Sequence, residues 1–330
     1  MRDHGGNLDA AAALFGGAPD DWLDLSTGIN RRPYPMPALP ARALTALPDA
    51  AALAALTQAA RTAYRTAAPM LAVAGAQAAI QLVPRLAAPG MARVLGPTYN
   101  EHAASLRAAG WRVEEVADLP ALAGADLAVV VNPNNPDGRR HEPDALKALL
   151  PRVGRLLVDE SFADPVPALS LTPEAGLPGL LVLRSFGKFY GLAGLRLGFV
   201  LGSPADIDRL TGLAGPWAVS GPALVAGAVA LADRAWVRDT TARLEAETLR
   251  LDAIAARAGW TLAGGAHLFR LYATPDATAA QDHLARARIW SRIFPWSDRL
   301  IRLGLPGEEP EWHRLDSALQ ASGTPPEKLR

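Results

Sequence analysis

Five short apolar runs, separated by segments with helical patterns, constrain the fold of this chain more than any other feature. They are "ARVLG" at 92–96, "LAVVV" at 127–131, "RLLVD" at 155–159, "GLLVLR" at 179–184 and "LGFVL" at 197–201. Runs that are apolar at successive positions fit strands whose two faces are both buried. The pattern therefore predicts an α/β fold with a doubly wound, mostly parallel sheet.

The later part of the chain predicts a second, smaller domain. A length of 330 residues allows one large domain and a smaller one. After the last apolar run, "TLAGGAHLFRLYA" and "RLIRLGL" alternate with the helical segment "DHLARARIW". We expect a large α/β domain over 31–215, and a smaller α+β domain that combines 1–30 with 216–330 and closes over the active site.

The uncharged stretch 212–232 is about as long as a membrane-spanning helix. It contains Pro216, Pro222 and four glycines, and "SGP" at 220–222 is typical of a helix start. We therefore expect a buried helix from Pro222 to about Trp236 and no membrane association.

Composition excludes several classes of function. The formal net charge is zero and no basic run is present, so nucleic acid is not expected as a partner. The absence of cysteine excludes disulfides and thiolate nucleophiles and is compatible with a reducing compartment. The six histidines have no paired metal-ligand spacing, and no metal is expected. Dinucleotide, P-loop and GxSxG motifs are also absent.

Polar side chains follow four of the predicted strands directly. Tyr99 comes after "ARVLG", Asn135 after "LAVVV", Asp159 at the end of "RLLVD", and Ser185 and Lys188 after "GLLVLR". Open α/β sheets bind their ligands at the carboxyl ends of the strands. We expect these side chains to meet at one edge of the sheet.

Lys188 is one of only three lysines in a chain whose positive charge comes mainly from arginine. Unlike a guanidinium, an amine can lose its proton and attack a carbonyl. Once nucleotide, metal and serine-hydrolase chemistry are set aside, a cofactor with a carbonyl that forms a Schiff base with Lys188 is the remaining interpretation.

Pyridoxal phosphate accounts for the polar residues at the strand ends. Its aldehyde needs a lysine, its pyridine nitrogen a carboxylate, its ring oxygen a donor and its ring face an aromatic side chain. Lys188, Asp159, Asn135 and Tyr99 are the respective candidates.

The cofactor phosphate needs a helix N-terminus and a cation. The segment "AGAQAAIQLV" from Ala74 predicts a helix that begins after Gly75. The backbone N–H groups of Ala76 and Gln77, with the side chains of Ser185 and Arg196, are therefore the candidate phosphate ligands.

Four motifs carry a resemblance to a known family: "NPNNPDG", "VDESF", "SFGKFYGLAGLRLGF" and "IRLGLPG". From about Ser26 to Gly307 their order and spacing resemble the class I/II aminotransferase-like, fold-type-I pyridoxal-phosphate enzymes. The resemblance implies the cofactor roles given above and assigns Arg302 to the substrate α-carboxylate. It also implies a homodimer with both active sites near the interface, and we expect a cytoplasmic protein.

Within this family, "DHGGN", "DLSTGIN", the Phe of "DESF" and "RLIRLGLPG" resemble the threonine-phosphate decarboxylases of cobalamin biosynthesis, relatives of histidinol-phosphate aminotransferase. The resemblance implies decarboxylation of O-phospho-L-threonine to (R)-1-amino-2-propanol O-phosphate and carbon dioxide. Lys188, once released, is then expected to protonate the substrate Cα. An aminotransferase of the histidinol-phosphate type and a non-catalytic cofactor-binding homologue stay open as alternatives.

Three positions depart from the family pattern. Phe162 stands where many aminotransferases have a tyrosine that contacts the ring hydroxyl of the cofactor. Leu47 stands before Pro-Asp where relatives have a tyrosine that reaches the neighbouring subunit's cofactor phosphate. Arg31 follows "GIN" where proline is usual, and we expect a local change in that loop.

A phosphorylated amino-acid substrate needs cations besides the one on the cofactor phosphate. Arg292 and Arg302 end C-terminal segments expected over the cleft, and His4 and Asn30 are expected to approach from the N-terminal side. We therefore predict these four residues as the substrate-binding set.

Overall fold

Two units, each with its own sheet, make up residues 4–322, the part of the chain that the computed structural model describes. The larger unit comprises 33–135 and 139–238, and the smaller unit comprises the chain up to Arg32, 136–138 and the chain from Asp239 onward.

Thirteen strands lie within residues 4–322. They are β1 (Leu23–Asp24), β2 (Met70–Val73), β3 (Met91–Leu95), β4 (Arg112–Val116), β5 (Leu127–Val131), β6 (Leu156–Asp159), β7 (Leu180–Ser185), β8 (Gly198–Leu201), β9 (Thr261–Ala266), β10 (Phe269–Ala273), β11 (Ile289–Trp290), β12 (Arg292–Phe294) and β13 (Ser297–Gly304).

Twelve α-helices belong to the same described part. They are α1 (Leu8–Phe15), α2 (Arg42–Thr45), α3 (Ala50–Ala63), α4 (Ala76–Leu82), α5 (Glu101–Ala108), α6 (Pro143–Lys147), α7 (Phe186–Phe189), α8 (Pro204–Ala214), α9 (Gly221–Ala232), α10 (Arg234–Arg257), α11 (Ala277–Arg286) and α12 (Glu309–Ser322).

The larger unit is built on a seven-stranded sheet with the order β2-β8-β7-β6-β5-β3-β4. Strands β3 to β7 run parallel, whereas β8 is antiparallel to both of its neighbours. All five predicted strands are present, at β3, β5, β6, β7 and β8, which confirms the doubly wound, mostly parallel sheet. Two strands of this sheet were not predicted: β2, whose first two residues are only half-buried, and β4, an edge strand whose "RVEEV" is largely exposed.

Strand residues alternate between the two faces of this sheet. Leu157 of β6 and Leu181 and Leu183 of β7 belong to a core that also contains Ile80 of α4 and Leu106 of α5. The residues between them on each strand point to the opposite face, and they too are buried. Both faces are therefore covered, as the continuous apolar runs predicted.

The expected helix from Pro222 to about Trp236 is interrupted at Asp233, where α9 ends and α10 begins. Asp233 accepts a hydrogen bond from the backbone N–H of Trp236 (2.9 Å), which caps the new helix. Helix α9 packs on α3, so residues 216–238, which we expected in the smaller domain, lie in the larger unit. Among the described helices, none combines the length and the apolar composition needed to cross a bilayer.

The smaller unit contains an antiparallel sheet with the order β12-β13-β10-β9 and a short parallel pair, β1 and β11. Helices α11 and α12 and most of α10 belong to the same unit. This agrees with an α+β architecture. Within this unit Arg31 donates to the Glu311 carboxylate from Nε (2.9 Å) and Nη2 (2.5 Å), which ties the N-terminal segment to α12.

Candidate active site

A cleft lies at the carboxyl ends of β5, β6 and β7 in the larger unit. All eight predicted cofactor ligands line it: Ala76, Gln77, Tyr99, Asn135, Asp159, Ser185, Lys188 and Arg196. The other lining residues are Ile80, Val131, Ser161 and Phe162. Residues from segments up to about 120 positions apart in the chain are thus brought together in the wall of one cleft.

The alternation of strand residues explains why these side chains share one cleft. Asp159 lies two residues after Leu157 on β6, and Ser185 lies two residues after Leu183 on β7. Both polar residues therefore point to the same face as the core leucines, at the end of the strand where the apolar packing stops.

Asp159 is 2% exposed and is held by three hydrogen bonds. Its Oδ2 lies 2.8 Å from His102 Nε2, and its Oδ1 accepts from the Ser161 backbone N–H (2.9 Å) and hydroxyl (2.5 Å). Burial opposes ionisation, but the hydrogen bond and charge of His102, together with Ser161, outweigh it and lower the pKa of Asp159. An ionised carboxylate only accepts hydrogen bonds, so His102 Nε2 carries the proton in this pair.

His102, which contacts the predicted cofactor ligand Asp159, was not predicted from the sequence, where it was considered only as a possible metal ligand. The signal was its spacing: His102 lies in the first turn of α5, three residues after Tyr99. The two rings meet edge to face with centroids 6.1 Å apart. The segment that contains Tyr99 therefore also contains His102, the hydrogen-bond partner of Asp159.

Tyr99 and Gln77 are linked to a buried carboxylate. The Tyr99 hydroxyl donates to Gln77 Oε1 (3.3 Å), and Gln77 Nε2 donates to Glu101 Oε2 (3.0 Å). Because the Gln77 amide donates at one end and accepts at the other, its orientation is fixed. This chain restrains the aromatic ring that borders the cleft.

At the start of α4, the wall of the cleft has glycine at two positions. Gly75, which precedes α4, has φ +76°, and a Cβ there would lie 2.6 Å from Arg196 Nη2. A Cβ on Gly198 of β8 would lie 2.5 Å from the backbone nitrogen of Ala76. Arg196 itself adopts the left-handed region (φ +54°), which directs it toward this turn. The backbone and the guanidinium therefore approach each other without an intervening side chain.

Lys188 lies on the short helix α7, directly after β7, and is half-buried. Its Nζ is 5.8 Å from the centroid of the Phe162 ring, which is 5% exposed. An aromatic face attracts an ammonium group, and an apolar neighbour also reduces its hydration. Phe162 therefore borders the amine at a position where a tyrosine would add a hydroxyl.

The four predicted substrate residues belong to the smaller unit and do not line this cleft as the larger unit presents it. His4 is exposed at the start of the described chain. Asn30 is 3% exposed, and its Oδ1 accepts from the Arg32 backbone N–H (3.0 Å) and from Arg243 Nη2 (3.0 Å).

Arg292 and Arg302 lie directly opposite each other on β12 and β13. Arg302 is 6% exposed and donates through Nη2 to the Ser26 carbonyl (2.6 Å). Burial and the adjacent Arg292 charge lower the pKa of Arg302, and Asp24 opposes this only in part. Two neighbouring guanidiniums in this setting favour the approach of an anion.

Comparison with known proteins places these observations in a family. Residues 37–299 match the family described as aminotransferase class I and II. The chain is 45% identical to a threonine-phosphate decarboxylase of Pseudomonas aeruginosa over 97% of both chains. It is 44% identical to a threonine-phosphate decarboxylase of a Sinorhizobium species over 96% of this chain and 97% of the relative.

Among solved structures, the histidinol-phosphate aminotransferase of Sinorhizobium meliloti in complex with pyridoxal-5'-phosphate has the same fold. The TM-score is 0.80, with 22% identity over 96% of this chain and 94% of the other. This likeness supports the architecture of a fold-type-I enzyme.

Proposed function

Because the chain belongs to the aminotransferase class I and II family, we propose that it decarboxylates O-phospho-L-threonine with pyridoxal phosphate as cofactor. The products are (R)-1-amino-2-propanol O-phosphate and carbon dioxide, and the pathway is cobalamin biosynthesis. The observation that carries the proposal is the near full-length similarity to two threonine-phosphate decarboxylases.

The residues of the cleft fit pyridoxal phosphate. The Arg196 guanidinium lies against the Gly75 turn, and Gly198 lets β8 pass close to the Ala76 backbone, which gives a cationic cradle at the start of α4. The buried Asp159 is held as an anion, as a protonated pyridine nitrogen requires. When bound, the cofactor would supply an electron sink for the bond that breaks at the substrate Cα.

The roles that we propose for the cofactor ligands follow from this fit. Lys188 binds the aldehyde and Asp159 the pyridine nitrogen, while His102 and Ser161 keep Asp159 ionised. Tyr99 covers the ring and Asn135 contacts the ring oxygen. The phosphate is bound by the backbone of Ala76 and Gln77 with the side chains of Ser185 and Arg196.

We propose that the half-buried Lys188 amine also returns a proton to the substrate Cα after the carboxylate leaves. Phe162 next to this amine supports decarboxylation over transamination, since the hydroxyl found in many aminotransferases is missing.

For the substrate, we propose that Arg302 binds the α-carboxylate and that Arg292 binds the phosphate. His4 and Asn30 complete the set. The support is the pair of adjacent guanidiniums, whose mutual repulsion is relieved when the two anionic groups of the substrate bind to them.

The decisive reaction test uses purified protein, added pyridoxal phosphate and O-phospho-L-threonine without any keto acid. We expect carbon dioxide and aminopropanol phosphate in equal amounts. Evolved-gas measurement quantifies the carbon dioxide, and phosphorus NMR quantifies the aminopropanol phosphate. Lys188→Ala should abolish release because no amine remains to bind the cofactor, whereas Lys147→Ala, a half-buried lysine in an ion pair on α6, should retain activity. Amino-group transfer to 2-oxoglutarate without carbon dioxide release would instead identify an aminotransferase, and no turnover and no visible cofactor band would indicate a non-catalytic homologue.

Arg292→Ala should raise the KM for O-phospho-L-threonine by about 10- to 100-fold, because a charge-assisted hydrogen bond contributes about 1.5–3 kcal/mol. The matched control is Arg286→Ala, which removes an exposed arginine at the end of α11 and should leave KM unchanged. Steady-state kinetics of the three proteins provides the comparison. Identical KM values for all of them would remove Arg292 from the substrate site.

We also propose that the protein acts in the cytoplasm, since a chain without cysteine needs no oxidising compartment. Cell fractionation tests this location. We further propose that the protein is a homodimer. The dimer is supported by large exposed apolar side chains on α2, on the connection between α2 and α3, on α3 and on α9; both α2 and α3 pack on α9. These are Leu44 (72% exposed), Leu47 (65%), Leu53 (44%) and Val229 (43%). Surfaces of this kind usually mark interfaces.

Light scattering should give about twice the chain mass of 34.7 kDa. The double variant Leu44→Asp/Leu47→Asp should shift the protein toward monomer, because it places charges on the proposed interface. The control is Leu249→Asp, at a 67% exposed leucine of α10, which should leave the oligomeric state unchanged. A monomer at micromolar concentration would contradict the proposal.

A further inference from the structure

A second cleft lies within the larger unit and shares no lining residue with the first. It includes Tyr64, Asp164, Arg184 and Tyr190 among its buried lining residues and Arg65 and Arg234 among its exposed ones. None of these six residues has a role in the proposed reaction.

Strand alternation separates the two clefts. Glu160 directly follows Asp159, and Arg184 directly precedes Ser185. Asp159 and Ser185 face the cofactor cleft, so Glu160 and Arg184 point to the opposite face of the sheet. There Arg184 Nη1 donates to Glu160 (3.0 Å) and Nη2 donates to Asp164 (2.5 Å).

The floor of the second cleft is built from buried polar groups. Arg184 is 3% exposed, and its Cζ lies 4.5 Å from the centroid of the Tyr64 ring. Burial raises the pKa of Asp164, while the Arg184 charge opposes that rise. The single carboxylate that lines this cleft is therefore already engaged by a guanidinium.

Tyr190 is also 2% exposed, and its ring is stacked between Phe186 (centroids 4.5 Å apart) and Trp236 (5.4 Å). Burial raises the pKa of the Tyr190 hydroxyl, so it remains protonated and able to donate. Within the described residues the buried Nε of Arg184, which lines the same cleft, forms no hydrogen bond. A buried donor without a protein acceptor indicates a ligand that accepts a hydrogen bond.

The rim adds two exposed arginines that form no ion pair with a carboxylate among residues 4–322. Arg234 makes only a long contact from Nη1 to the Ala63 carbonyl (3.5 Å). Arg65 has φ +52° because it follows the last turn of α3, where the Thr66 N–H donates to the Arg61 carbonyl (3.0 Å) and closes the helix. The lining of the cleft thus carries three guanidiniums against one carboxylate.

From this set we propose that the second cleft binds the phosphate group of a small molecule, either free phosphate or a phosphate monoester. The arginines at the rim supply positive charge and paired donors, and the Tyr190 hydroxyl supplies a further donor from the floor. This site is separate from the one for the cofactor phosphate and is independent of the reaction proposed above.

The test is calorimetric titration of the cofactor-loaded protein with inorganic phosphate and, separately, with glycerol 3-phosphate. All proteins carry Arg292→Ala, so that the proposed substrate site contributes little binding. We expect saturable binding that weakens by at least about tenfold in the Arg65→Gln/Arg234→Gln variant. Arg209→Gln, at an exposed arginine of α8, is the matched control and should bind as tightly as its parent.

The two ligands distinguish the source of the phosphate group. Equal affinities for the two ligands would show that free phosphate is sufficient for binding. Tighter binding of glycerol 3-phosphate would identify a phosphate monoester as the preferred ligand. Absence of binding at about 10 mM of either ligand, or equal affinity in the rim variant and its parent, would overturn the proposal.

Discussion

The structure of the active site depends on one buried carboxylate that must stay ionised. Asp159 lies at the end of a central strand, where burial alone would favour its neutral form. The hydrogen bonds from His102 and Ser161 reverse that preference, and each comes from a different element. The position and charge of Asp159, the proposed ligand of the cofactor nitrogen, are therefore set by the surrounding protein.

The same strand ends serve two faces of the sheet. At the ends of β6 and β7, Asp159 and Ser185 face the candidate active-site cleft. Their neighbours Glu160 and Arg184 face the other side of the sheet, where Arg184 pairs with Glu160 and Asp164. Breaking such a buried ion network by removing one partner is strongly destabilising, so these pairs hold the two strand ends together. The distance between Asp159 and Ser185 thus depends on ion pairs on the opposite face of the sheet.

The sequence predicted what depends on local pattern. Continuous apolar runs located five buried strands, and strand-end polar residues located the cleft wall, because parallel strands must bring their carboxyl ends together. It did not predict β4, whose polar sequence reflects an edge position, or the break at Asp233. His102 and the second cleft were missed because they depend on pairings between distant segments, such as His102 with Asp159 and Arg184 with Asp164.

The central claim is tested most directly by the dissociation constant of pyridoxal phosphate as a function of pH in wild type and His102→Phe. Without His102, burial dominates and the pKa of Asp159 rises, so the carboxylate takes up its proton at higher pH. The account predicts weaker binding by the variant, with affinity lost at a higher pH as the solution is acidified. His313→Phe, at an exposed histidine, should match wild type. Superimposable pH profiles for wild type and His102→Phe would contradict the account.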